Sequence, residues 1–149
     1  MKPQNLLAVA TLCAFTALPS HLEANPPQYT VTILDGFYLG YGINASGQVA
    51  GSSGGNPNAL RLTGTTVETL PGLGGSSVGF GINASGQVGG EVVAADGTNW
   101  HAARWTGTTV EDLGTLGGST SRGFGINTSG QVAGFSFIAT GNSTSVLTL

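Results

Sequence analysis

The chain has 149 residues, 26 of them glycine, one cysteine and a formal net charge of −3. That length holds one domain with a modest core. Four Lys and Arg in all argue against a phosphate-neutralising surface for nucleic acid or an anionic membrane, and a single thiol excludes a disulfide framework.

The first residues have the order of a secretion signal: Lys2, an almost unbroken apolar run over residues 6–18, a break at Pro19 and Ser20, and a small residue at Ala24. The run is shorter than the ~20 residues that span a bilayer. We therefore expect residues 1–24 to be a signal peptide that carries Cys13 away, with no membrane insertion afterwards and a secreted, extracellular or cell-surface product. Residues 25–149 then form one three-repeat all-β domain, with Arg61, Arg104 and Arg122 set against Asp35, Glu68, Glu91, Asp96, Glu111 and Asp112. Glycine is far above its usual ~7% there, yet it alternates with Val, Ile, Phe and Trp, the pattern of short strands between turns and not of disorder.

After a lead-in at 25–28, a word recurs three times: Gly40-Tyr41-Gly42-Ile43-Asn44-Ala45-Ser46-Gly47-Gln48-Val49, then the same from Gly79, then from Gly123 with Phe124 and Thr128. Repetition of this kind marks a structural unit. Around it the chain divides into four strand-length pieces. Piece a is clearest at 101–105, b at 110–113, c at 123–127 and d at 131–137. No segment after the signal sustains a helical period. The a–b joints, Thr63-Gly64 and Thr106-Gly107, suit short hairpin turns. The c–d joints pair an Asn that can bond its own backbone with a Gly free to turn left-handed. The b–c joints are Leu-Gly-Gly-Ser at 73–76 and 116–119, and the d–a joint varies most in length, so the repeat spacing is 39 residues from Tyr41 to Phe80 and 44 from Phe80 to Phe124.

The pieces run bcd, abcd, abcd, a, beginning with a b at 31–34 and ending with an a at 145–149. This phasing predicts three four-stranded antiparallel units, approximately 29–58, 59–101 and 102–149. Within each, a should pair with b, b with c and c with d, and the terminal strand, centred on Val146 to Thr148, should complete the first unit and hide its edge. A partial β-propeller is the expected architecture, with a β-trefoil as the alternative.

The words His101-Ala102-Ala103-Arg104-Trp105, Asp112-Leu113-Gly114-Thr115-Leu116-Gly117-Gly118, Gly125-Ile126-Asn127 and Gly130-Gln131-Val132-Ala133-Gly134, in that order, resemble the HAF-type extracellular repeat of bacterial proteins. Ala103 stands where that family has its Phe, and the other a pieces depart further. The resemblance implies secretion and a propeller-like repeat scaffold. It implies no catalytic activity, and no functional residues carry over.

Candidate chemistry is sparse. His101 is the one histidine of residues 25–149 and lies on the strand face of Ala103 and Trp105, so a hydrogen-bonded structural role is expected and no metal site. Glu68 and Glu111 occupy equivalent places in piece b, with Asp112 beside the second. Paired carboxylates suit glycoside hydrolysis if they converge, but Thr32 holds the place in the first unit, and solvated edge residues are the simpler expectation. Arg61 and Arg104 recur in piece a beside Leu62 and Trp105, where their stems would cover apolar surface. The Gly-x-Gly around Phe80 lacks the following helix of a nucleotide loop, so its glycines are read as allowing close packing. Asn44, Asn83, Asn127 and Asn142 begin glycosylation sequons, three of which are the turn itself. The sequence thus points to no catalytic residue, metal or cofactor, and leaves the ligand residues unassigned. The expected function is a non-enzymatic binding or structural module for a glycan or a surface protein. The alternatives are a carbohydrate-active enzyme using Glu68, Glu111 or Asp112, and a building block that self-associates through its edge strands.

Overall fold

A computed structural model describes Val31, residues 33–140 and the backbone of residues 143–145. The expected signal, the lead-in, Thr32, Asn142 and the strand centred on Val146 lie outside those residues. Contacts divide the chain after Thr32, and every strand lies in the unit Ile33–Leu149. The described residues form no helix.

The strands are β1 (Leu39–Ile43), β2 (Val49–Ser52), β3 (Ala59–Thr63), β4 (Thr66–Thr69), β5 (Ser77–Ile82), β6 (Val88–Val93), β7 (Trp100–Thr106), β8 (Thr109–Gly114), β9 (Gly117–Ile126), β10 (Val132–Ile138) and β11 (Ser143–Ser145). They build two four-stranded antiparallel sheets, β1-β2-β3-β4 and β5-β6-β7-β8, and a third sheet, β11-β10-β9. The two four-stranded sheets are uninterrupted meanders in the order c, d, a, b, and the third runs c, d and then β11.

This order corrects the expected phasing. Pieces a and b pair, as β3 with β4 and β7 with β8, and pieces c and d pair in all three sheets. Piece b does not pair with the c that follows it; the neighbour of d is the next a, β2 with β3 and β6 with β7. The physical reason lies in the joints. The d–a segments are hairpin loops: Ser53 N–H donates to the Asn58 carbonyl, and Asp96 accepts the Thr98 and Asn99 N–H groups. The Leu-Gly-Gly-Ser segment after β4 instead carries the chain to the next sheet. Piece b at the start also differs, since Ile33 and Leu34 form no strand. A short strand ahead of the expected terminal one, Ser143–Ser145, pairs with Phe135, Ser136 and Phe137 in the third sheet.

The turns follow their residue types. Gly47, Gly86 and Gly130 close the c–d turns with φ of 75°, 76° and 81°, and Asn44, Asn83 and Asn127 each accept the N–H two residues on. Gly64 and Gly107 open the two-residue a–b turns with φ of 61° and 59°, the sign that turns matching strand twist require.

The core lies between sheets. Ala50, Ala59 and Leu70 of the first sheet and its exit meet Val88, Val92, Ala103 and Trp105 of the second, with Leu73, Ile82 and Val110 packed around them. Trp105 is fully buried and donates its indole N–H to the Pro71 carbonyl at 2.8 Å, so the largest core side chain is anchored at both its apolar and its polar end.

Candidate functional site

The repeated word builds a repeated joint made of hydrogen-bonded polar side chains. At its centre is an asparagine ladder. Asn44 Nδ2 donates to the Asn83 carbonyl at 2.9 Å, and Asn83 Nδ2 donates to the Asn127 carbonyl at the same distance. The second hydrogen of each amide goes to Gln48 or Gln87 Oε1 at 2.7 Å, and each Gln Nε2 reaches Thr63 or Thr106 Oγ1. Every donor of Asn83, 5% exposed, therefore has a protein acceptor. The sequon Asn44 and Asn83 amides are structural, and a glycan on either would break the ladder.

The glycines around the aromatic allow the backbones to approach. A Cβ on Gly42 would stand 2.6 Å from the Phe80 carbonyl oxygen, and one on Gly81 would stand 2.8 Å from that of Phe124. The aromatic between the glycines is the extra residue of a β-bulge in each sheet, Tyr41, Phe80 or Phe124, and a bulge re-aims its side chain. The three rings form a row with centroids 5.0 and 5.7 Å apart, continued by Phe135 and Phe137. The close-packing reading of Gly79-Phe80-Gly81 holds, and the sheet-to-sheet contact is its purpose.

Strand a is tied forward twice. Ser77 and Ser121 Oγ, both fully buried in the c strand of the next sheet, accept the N–H of Ala59 and Ala102. Arg61 and Arg104 donate from Nη1 to the carbonyls of Gly86 and Gly130, each the turn glycine of the next sheet, at 2.7 Å. The same guanidinium groups bind Glu68 and Glu111 across the hairpin, at 2.6 and 2.5 Å. Arg61 and Arg104 thus act through ion pairs and inter-sheet hydrogen bonds of their guanidinium groups. The signal was present in the sequence: each Glu follows its Arg by seven residues across a two-residue turn, which sets them opposite one another in register.

His101 Nδ1 lies 3.0 Å from the Asp112 carboxylate, the hydrogen-bonded structural role expected of it. Glu111 and Asp112 are neighbours on β8, so their side chains leave opposite faces, and Glu68 belongs to the first sheet. None of the three lines the pockets found at Gly125–Ala133, Gly117–Ala139 or Gly40–Val49. Among the described residues no group of three His, Cys, Asp or Glu is arranged to hold a metal ion.

Two further carboxylates are electrostatically distinct. Glu91 is buried on β6 and meets Arg122 of β9 at 2.5 Å. Burial pushes its pKa above the ordinary 4.5, opposed by the hydrogen bond and charge of Arg122. Asp96, in the exposed d–a loop, is pulled down to about 2 by the Asn99 and Thr98 N–H groups and the Asn99 amide.

Comparison of the sequence with family models and with curated proteins gives no match.

Proposed function

We propose that this chain is an exported, non-enzymatic repeat scaffold whose sheets are blades of a propeller-like array, of the HAF-type extracellular repeat. The observation that carries this reading is the use of the charged and amide side chains. Arg61 and Arg104 form ion pairs with Glu68 and Glu111 within their hairpins, His101 is hydrogen-bonded to Asp112, and the Asn amides join one sheet to the next. Each of these side chains has a partner within the scaffold itself, which supports a joint more than a reacting group. Separate four-stranded meanders joined by one repeated contact suit blades better than the single barrel of a trefoil. The half-exposed Tyr41 and Phe124 rings, 48% and 50% exposed, extend the apolar row that this scaffold offers to a glycan or a surface protein.

The test is to incubate the purified chain with a panel of soluble polysaccharides, and to measure retardation in polysaccharide-containing gels alongside release of reducing ends. Retardation without release is expected. Release above the blank that is lost in Glu111→Gln or Glu68→Gln would overturn the reading in favour of a carbohydrate-active enzyme.

A further inference from the structure

Among the described residues, the first and third sheets present the two halves of the contact that is formed twice between sheets. In the interior, a sheet presents the second glycine of the word and a small residue on its d strand to the next sheet: Gly81 lies against the Phe124 carbonyl, and Gly89 faces Ile126 Cβ and Val132 Cγ2. Ala50, equivalent to Gly89, is fully buried in the same way. In the third sheet the equivalents are Gly125 and Ala133, and both are exposed. A Cβ on Gly125 would meet nothing within 4 Å, and an open pocket of about 280 Å³ lies over Gly125, Asn127 and Ala133. Asn127 keeps its bond to Gln131 Oε1, but among the described residues its amide has no inter-sheet carbonyl like those that Asn44 and Asn83 reach.

The first sheet shows the opposite half. Ile82 packs against the core, whereas its equivalent Ile43 is 72% exposed, beside Leu39 at 44% and a pocket of about 180 Å³. The residues at the margin of the joint also match. The second joint places Glu91 against Arg122. Their equivalents at the two free ends are Phe135 and Leu39, so a joint between the ends would set two apolar side chains together.

We propose that a second copy of this chain docks head to tail on these ends, building on the reading of the chain as a blade-like array. Ile43 of the second copy covers Ala133, its Leu39 packs against Phe135, and its Asn44 carbonyl accepts the Asn127 amide. The contact uses the sheet face of the interior joints and not an exposed strand edge. Because its two sides differ, it closes into a ring or continues as a chain. Two copies supply six sheets, four of them four-stranded and two three-stranded, and six blades lie within the range of closed propellers, so a closed dimer is the expected form.

Sedimentation equilibrium of the full chain over a wide concentration range tests this. A dimer mass is expected, with association weakened at least ~100-fold in Ile43→Asp, which disables only the head, and in Ala133→Trp, which disables only the tail. Mixed in equal amounts, the two variants retain one good head and one good tail and should form a heterodimer that neither forms alone. As a milder pair of substitutions, Ile43→Cys and Ala133→Cys made together in a Cys13→Ser chain should give a disulfide-linked dimer on oxidation. A wild-type monomer at every concentration, variants that associate normally, or a mixture that stays monomeric would each overturn the docking. A monomer that releases no reducing ends would defeat the docking alone and leave the scaffold reading standing.

Discussion

The joint between the first and second sheets and the joint between the second and third use the same frame with different fillings. Both have the Asn amide on the next Asn carbonyl, the Ser Oγ on the strand-a N–H, the Arg on the turn-glycine carbonyl and the glycine against backbone. The first is then filled by Trp105, Leu70, Val88 and Val92, and carries Ser52 and Val78 at its margin. The second carries the Glu91–Arg122 pair at the same margin, with Arg122 also 5.7 Å over the Phe80 ring. What recurs is hydrogen-bond geometry on backbone atoms. Side-chain volume and charge vary, because a joint fixed by carbonyls and N–H groups tolerates different fillings.

The largest break in the comparison should come from the filling of the first joint. Trp105→Ala removes the largest buried side chain and strands the Pro71 carbonyl, and should cost about 3–5 kcal/mol of unfolding free energy in a urea titration.

Arg122→Ala should be the next most damaging. It leaves Glu91 buried without its partner, a change that costs roughly 3 kcal/mol in comparable pairs at neutral pH, less here to the extent that Arg122 is 38% exposed. The double change Glu91→Ser with Arg122→Val writes the first joint's margin into the second. It should return to within about 1 kcal/mol of the wild type, since replacing a buried pair by fitting neutral groups is often neutral.

Acid titration separates the two shifted carboxylates by sign. Glu91 has a folded pKa above its ordinary 4.5, so its contribution is full below that value and is lost as pH rises through the folded value. Asp96 has the opposite sign: its contribution is full above the ordinary 3.8 and is lost as pH falls through about 2. Unfolding curves between pH 2 and 7 for Glu91→Gln and Asp96→Asn against the wild type should show these opposite slopes. Slopes of the same sign would contradict the assignment.

The smallest expected difference lies in the ladder. Asn83→Ala removes an amide with both hydrogens bonded and should cost about 1–3 kcal/mol, more than Asn127→Ala, whose only described amide bond is to Gln131. Equal losses measured at a concentration where the chain is monomeric would mean that the ladder contributes little.

Much of this frame was legible in the repeated word. Asn and Gly at fixed places in the turns, glycine on both sides of an aromatic, and hairpins at Gly64 and Gly107 all follow from residue types whose backbone chemistry is local. The pairing of d with a was not legible, because Ser53 to Asn58 and Ala94 to Asn99, though equal in length, differ in composition, and only their hydrogen bonds reveal two hairpins. The ladder was half visible: the Asn-to-backbone turn is a local motif, whereas the Asn amide on a carbonyl 39 or 44 residues away depends on how sheets stack. The Arg–Glu pairs were within reach, since the two-residue turn fixes their register.

In both four-stranded sheets d pairs with the following a, and cross-strand nuclear Overhauser effects test this pairing most directly. Contacts joining Gly51 to Leu60 and Gly90 to Ala103 are predicted from the register. Contacts of a paired ladder between Thr66–Thr69 and Ser77–Ile82, with those two absent, would contradict it.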